Sequence, residues 1–359
     1  MTFQEGMRRD VDVRVNDRWN DNPWWPTEKP EQSYFAALDL GTNNCRLLIA
    51  QPFRDGFRVV DAFSRIVRLG EGLSQSDCLS EAAIERALSA LRVCSGKLQR
   101  HPIISFRAVA TEACRRALNR LAFLERVNQD TGITIDIISS IEEGRLALTG
   151  CWSLLNPSLP RALVFDIGGG STEVMWLKVF RHRPPTLIDQ ISVRRGVVNL
   201  AERHGGDRVP ESTYETMINE VMADLIDFDQ RNGIRQIVEA GGAQMLGTSG
   251  TVTTLAGVNL GLMRYRRSMI DGSFLSIKDA RAVSRRLLSL NFAQRAIHPC
   301  IGRDRADLVI AGCAVLEALC QQWPFQRLRI ADRGLREGIL AELIGQKHSG
   351  AQHSSIIFS

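Results

Sequence analysis

The stretch from Leu163 to Val174, L-V-F-D-I-G-G-G-S-T-E-V, restricts what this chain can fold into more than any other. An apolar run suited to a buried strand ends on the carboxylate Asp166. It passes at once into three glycines, a serine and a threonine before Glu173 and a second apolar run, so strand, turn and strand is the simplest reading. Glycines let backbone N–H groups converge on a small anion with no side chain in the way, and Asp166 and Glu173 on the flanking strands are oxygen donors for a hard cation. That combination suits a metal-bound phosphate. A dinucleotide fingerprint is excluded because no helix follows the glycines, and a Walker loop because no Gly-Lys-Ser/Thr closes them.

The pattern occurs twice. At Leu38 the chain reads L-D-L-G-T-N-N-C-R-L-L-I. Aligning Asp39 with Asp166 gives Asp, apolar, Gly, two residues, Asn or Ser, two residues, apolar in both places. One copy alone is an ordinary glycine hairpin. The pair argues for two related halves, each presenting a hairpin to a shared cleft.

A chain of 359 residues with 44% hydrophobic content is long enough for two cores. It shows no apolar run of transmembrane length and no charged-then-apolar opening, so the expectation is a soluble, cytoplasmic protein without membrane span or signal peptide. Eight cysteines are scattered with no C-x-x-C pair, as expected of reduced core thiols. Only five of the 45 basic residues are lysines. Arginine grips phosphate oxygens bidentately, so an anionic partner fits, although an arginine-favouring codon usage would give the same excess. No basic block interleaved with aromatics points to nucleic acid.

Along the chain, residues 1–33 are polar apart from a cluster at Pro23, Trp24, Trp25 and Pro26, and are expected to be a disordered extension. Three antiparallel strands follow, at Tyr34–Leu38, Cys45–Gln51 and Phe57–Ser64, with Asp55-Gly56 as a hairpin turn. Ser80 suits the N-cap of a long helix through Leu98. A strand is expected at Ile103–Ala110, a helix from Thr111, a strand at Ile133–Ile138, and a helix opening at Ser139 to Glu143. Asn156-Pro157-Ser158-Leu159-Pro160 reads as the linker, which places one domain at 34–158 and a second at 159–345, ahead of a flexible tail at 346–359. The second domain should carry a strand at Leu187–Val193, a helix at Ser212–Phe228, and the loop Gly247, Thr248, Ser249 and Gly250 opening another helix. An apolar helix follows Arg305-Ala306-Asp307, and the last helix, about 334–345, is free to pack back on the first domain. Strands alternating with helices make this an α/β protein.

Taken together, LDLGTNNCRLLIA, AVATEACRRALN, IISSIEEGRLALTG, LVFDIGGGSTEV, GTSGTVTTLAG, RADLVIAG and ADRGLREGIL resemble, in order, the motifs of the exopolyphosphatase and guanosine-pentaphosphate phosphohydrolase (Ppx/GppA) family. The resemblance runs from Tyr34 to about Ile344. It implies two ribonuclease-H-like domains of the actin, Hsp70 and sugar kinase superfamily with a cleft between them, in a short form without the C-terminal region of longer members.

The resemblance also implies roles. Asp39, Asp166 and Glu173 would hold Mg²⁺, with Mn²⁺ as a substitute. The backbones of Gly41, Thr42, Asn43 and Asn44, and of Gly168, Gly169, Gly170, Ser171 and Thr172, would bind phosphate oxygens, and Gly247 to Gly250 would line the same cleft. Glu143 would be the general base for water, and Arg115 would neutralise the polyanion. Read from composition and position alone, Glu142 and Glu143 are first-turn acids and Arg115 is a helix charge like Arg116. One position departs from the family: Asn199, in S-V-R-R-G-V-V-N-L, stands where an arginine is usual.

The function expected from the resemblance is removal of terminal phosphate from inorganic polyphosphate by in-line attack of water. Guanosine pentaphosphate (pppGpp) is the alternative substrate. A small-molecule kinase and a non-catalytic alarmone or polyphosphate sensor are the other readings. The expected partners are these anions and, by resemblance, a second copy of the chain, with no nucleic acid or membrane.

Overall fold

The computed structural model describes residues 33–54 and 56–348. The extension before Ser33 with its Trp/Pro cluster, the Asp55 half of the expected turn, and the tail beyond 348 lie outside the described residues.

Two mixed sheets carry the fold. The first is built from β1 (Tyr34–Leu40), β2 (Asn44–Phe53), β3 (Gly56–Ile66), β4 (Ile103–Ala110) and β5 (Asp136–Ile137), in the order β3-β2-β1-β4-β5. β1 pairs antiparallel with β2 and parallel with β4. The second contains β6 (Arg161–Ile167), β7 (Thr172–Lys178), β8 (Thr186–Val193), β9 (Ala243–Thr248), β10 (Phe274–Ser276) and β11 (Arg327–Ala331), in the order β10-β11-β9-β6-β7-β8. Here β6 pairs antiparallel with β7 and parallel with β9. Strand for strand, β8-β7-β6-β9 repeats β3-β2-β1-β4, which is the ribonuclease-H-like order. The duplicated hairpin in the sequence is therefore the visible part of a duplicated sheet.

Central strands buried on both faces read as continuous apolar runs. In β1, Ala36, Leu38 and Leu40 face one core while Phe35 and Ala37 face another. The first core packs under the Glu81–Gln99 helix, whose N-cap Ser80 accepts from the Ala83 amide. The second domain closes over the Glu211–Asn232, Ile277–Ser289 and Val309–Gln322 helices, burying Phe165, Trp176, Phe228 and Trp323. Burying an aromatic or branched aliphatic side chain of this kind contributes roughly 1.5–3 kcal/mol.

Two helices connect the sheets. Ser140–Cys151 places Leu146 in the core shared with β1 and β2, and Leu148 and Cys151 against β6 and β7. Leu335–His348 sends Leu335, Ile339, Leu340 and Ile344 into the same β1–β2 core, so the chain's last helix packs on the first sheet. The two cross at backbone contact: a methyl on Gly338 would lie 1.9 Å from the Leu146 carbonyl oxygen, and one on Gly150 2.1 Å from that of Gly334.

Two elements are shorter than the sequence suggests. The helix from Thr111 is only Glu112–Arg116, because Leu118 turns outward and the Asn119 side chain pairs with the Leu79 backbone. The strand expected at 133–138 pairs over two residues at the sheet edge. Arg303–Arg305 is a 3₁₀ turn, with the apolar helix starting at Val309.

Candidate active site

The two hairpins meet. Their turns are closed alike, by Gly41 N donating to Asn44 O at 2.8 Å and Gly168 N donating to Ser171 O at 2.9 Å. The Gly168–Gly170 turn lies against Thr42 and Asn43 so closely that side chains are excluded: a methyl on Gly169 would stand 3.1 Å from the Asn43 nitrogen, and one on Gly170 2.8 Å from Thr42 Oγ1. Behind the turn, the Val197 and Val198 amides donate to the Gly168 and Gly169 carbonyls. Asn199 donates to Gly170 O at 2.7 Å. The position where the family pattern has arginine thus anchors the glycine turn from behind and is not part of the cavity lining.

Between the hairpins lies a cavity of about 540 Å³ lined by Asp39, Glu143, Asp166 and the Gly41–Asn44, Gly168–Ser171 and Thr248–Gly250 segments. Most of the residues singled out from the sequence come together here. Four do not line it. Gly247 is tucked under the Phe165 ring, Thr172 is fully buried and donates to Arg195 O, and Glu173 and Arg115 sit behind the wall.

Glu173 faces Asp166 across the β6–β7 ladder and accepts from Ser171 Oγ at 2.6 Å and Ser192 Oγ at 3.0 Å. Arg115 is a clamp. It donates to Glu112 at 3.0 and 3.1 Å, to Ile138 O at 3.0 Å, and to Glu143 Oε2 at 2.7 Å. Its guanidinium is therefore committed to fixing two carboxylates, Glu143 among them. Glu143 itself begins a helix whose N-cap, Ser139, accepts from the Glu142 amide.

The cavity lining carries charges of both signs. Burial pushes Asp166 up to about 8, with Glu173 and Asp39 adding to the rise against Arg46. Burial raises Asp39 despite Arg46 and Arg336. Burial and then the Glu173 charge raise Glu143 well above the usual carboxylate range, outweighing the Arg115 contact. Arg46, Arg305 and Arg336 line the same cavity, with Arg46 on the Asp39 rung of the β1–β2 ladder. Burial lowers the Arg305 and Arg336 guanidinium values, and Arg46 lowers both further. Buried carboxylates and buried guanidinium groups thus share one lining, each kind strained by its burial. A cation-bridged polyanion satisfies both.

The donor set was tested for Mg²⁺ on this geometry. The buried Oδ1 atoms of Asn43 and Asn44 have no hydrogen-bond partner, and both residues line the same cavity as Asp39 and Asp166, so the donors on offer are oxygens. Among the described residues no three His, Cys, Asp or Glu side chains converge on one point. Mg²⁺ asks for less than such a cage, since it keeps several waters and binds through one or two carboxylates plus substrate phosphates. The residues fit that mode, with Glu173 supporting Asp166 from behind.

The lining arginines were missed in the sequence, yet one signal for them was available. Arg46 occupies, in the first hairpin, the repeat position that Glu173 occupies in the second, and it faces Asp39 across the ladder as Glu173 faces Asp166. Aligning the copies past their glycines marks it. Arg305 and Arg336 had no such signal, being single arginines in an arginine-rich chain.

Comparisons with known proteins show which family the chain resembles over most of its length. The model of the Ppx/GppA phosphatase family matches residues 48–347. A Haemophilus influenzae protein provisionally named an exopolyphosphatase is 27% identical over 329 residues, covering 90% of this chain and 95% of that one. A guanosine-5'-triphosphate,3'-diphosphate pyrophosphatase of Vibrio cholerae is 29% identical over 310 residues, covering 86% of this chain and 59% of that protein's length. Among solved structures, an exopolyphosphatase-like protein superposes with a TM-score of 0.76 at 32% identity, over 86% of this chain and 97% of its own.

Proposed function

Because this chain belongs to the Ppx/GppA phosphatase family, we propose that it is a phosphoanhydride hydrolase that releases terminal phosphate from inorganic polyphosphate. The observation that carries the reading is Glu143. It is a carboxylate lining the cavity between the hairpins, fixed at 2.7 Å by Arg115, and it shares that lining with Arg46, Arg305 and Arg336. Arg115 fixes the rotamer, so that one carboxylate oxygen stays free for a water. Burial keeps the proton affinity of Glu143 high enough to accept that water's proton. The water oxygen bonds to the terminal phosphorus as the bridging P–O bond breaks. The products are orthophosphate and a chain one unit shorter.

The leaving oxygen takes the bonding electrons, and Arg46, Arg305 and Arg336 offset the charge that develops. The hairpin turns present backbone N–H groups to phosphate oxygens. When bound at Asp39 and Asp166, Mg²⁺ would polarise the phosphoryl group and neutralise part of its charge. Eight unpaired cysteines, seven of them buried, suit work in the reducing cytoplasm. Among the described residues no helix is long and apolar enough to cross a membrane.

One feature favours the rival substrate. Tyr265 is the aromatic ring among the cavity-lining residues, and a guanine base could stack on it. Phosphate release from long-chain polyphosphate and from pppGpp, each with Mg²⁺, tests the reading. The expected result is a higher kcat/KM on polyphosphate. A higher value on pppGpp reassigns the substrate, and binding without turnover on either makes the protein a sensor.

A further inference from the structure

Tyr265 both lines the cavity and reaches solvent, being 41% exposed, and it adjoins a surface whose charge the proposed reaction does not use. Residues 264–267 read Arg-Tyr-Arg-Arg. Tyr265 lines the cavity, and Arg267 is bonded to Asp332 O and Glu337. Arg264 and Arg266 on either side of Tyr265 are exposed. On the facing loop, Gly302 and Arg305 line the cavity and Arg303 between them is exposed. Among the described residues none of the side chains of Arg264, Arg266 and Arg303 makes a hydrogen bond or an ion pair. Two acids stand beside them: Asp304, also exposed, and Asp332, which lines the cavity and lies 3.6 Å from Arg267. Unpaired arginines occur elsewhere on the surface, Arg194 and Arg285 among them. These three differ because lining residues of their own loops join them to the cavity.

A linear polyanion longer than the cavity must emerge through its mouth, and each emerging unit carries charge with it. With Asp332 matched by Arg267, three unpaired guanidinium groups against the one unpaired carboxylate of Asp304 make that mouth attractive to phosphate oxygens, which arginine meets bidentately. We propose that Arg264, Arg266 and Arg303 form a cationic lip that holds the emerging part of a long polyphosphate. Chain-length preference is then set at the rim, away from the bond that breaks. This rests on the polyphosphate reading above and adds to it a length discrimination that the inner site alone does not supply. A lip of this kind acts on substrate affinity and leaves the chemical step untouched. It is also screened by salt, because its groups are exposed.

The test is the triple variant Arg264→Ser, Arg266→Ser, Arg303→Ser, assayed on tripolyphosphate and on long-chain polyphosphate at low and high salt. All three side chains lie on the surface, so folding is expected to survive. The expected result is a loss of about tenfold in kcat/KM on the long chain, carried by KM. Tripolyphosphate should stay within about twofold, and the salt dependence on the long chain should flatten. The triple Arg→Lys variant should recover most of the long-chain affinity. Equal loss on both lengths, or no loss on either, overturns the proposal. Binding of each length to Glu143→Gln protein with and without the triple change decides the lip independently of turnover. Failure of the unmodified protein to hydrolyse polyphosphate would therefore count against the reaction and leave the lip still decided by binding.

Discussion

Replacing Gly338 by alanine should damage stability and turnover together. The added methyl would stand 1.9 Å from the Leu146 carbonyl oxygen and 2.8 Å from its carbon. Neither is a flexible side-chain end, so relief requires the Ser140–Cys151 and Leu335–His348 helices to separate. Restoring ordinary contact at about 3.4 Å needs a shift on the order of 1.5 Å. The first helix carries Glu143 and the second carries Arg336, so the separation pulls the base away from that arginine. Overpacking of this kind costs about 1–3 kcal/mol, and a displacement of about 1 Å in a catalytic group can cost about 10²-fold in rate. Thermal unfolding and kcat on polyphosphate read the two effects. The control is Gly345→Ala, on the same helix, where a methyl meets nothing within 4 Å. It should leave activity intact and stabilise by about 0.5–1 kcal/mol. If Gly338→Ala melts and turns over like Gly345→Ala, the helix crossing does not position the site.

Three further outcomes follow from the same geometry. Arg115→Ala should lower kcat by about 10–10²-fold while changing KM little, because Arg115 holds Glu143 and Glu112 and does not line the cavity; a rise in KM at unchanged kcat would make it a substrate ligand instead. Asp166, raised from 3.8 to about 8, binds a proton in the folded state that the unfolded chain has already released. Metal-free stability should therefore fall as pH rises from about 4 towards 8. Mg²⁺ should raise the melting temperature more at pH 8 than at pH 5, where it competes with the proton, and an equal shift at both would remove Asp166 from the metal site. Asp307→Asn breaks a 2.7 Å pair with Arg68 whose side chains are about one-third exposed, so the loss should stay below about 1 kcal/mol in thermal unfolding.

Much of this architecture is legible in the sequence because the duplicated hairpin couples local and tertiary information. A glycine turn after an aspartate-tipped strand specifies the turn, the strand pairing and the direction in which the carboxylate faces. The cap and first-turn acids of Ser139 to Glu143 mark a helix start in the sequence, but it was the family resemblance that singled out Glu143 from Glu142. Neither could reveal what Arg115 touches. Its guanidinium joins Glu112, three residues back on the same short helix, to Glu143 from a distant segment, and sequence separation hides the second contact. Glu173 illustrates a related limit. Alternation along β7 places it on the Asp166 rung, but two serine hydroxyls from separate segments hold it behind the wall. The closeness of Gly150 and Gly338 was equally hidden, since each looks like an unremarkable helical glycine until the partner helix is in place.

The most direct measurement is steady-state hydrolysis of polyphosphate by Glu143→Gln, which keeps the side chain's size and leaves Arg115 its contact with Glu112. The account predicts a fall in kcat of about 10²–10⁴-fold with KM changed only a few-fold. A variant that retains kcat to within about threefold would contradict it, and water would then be activated by some other group in the cleft.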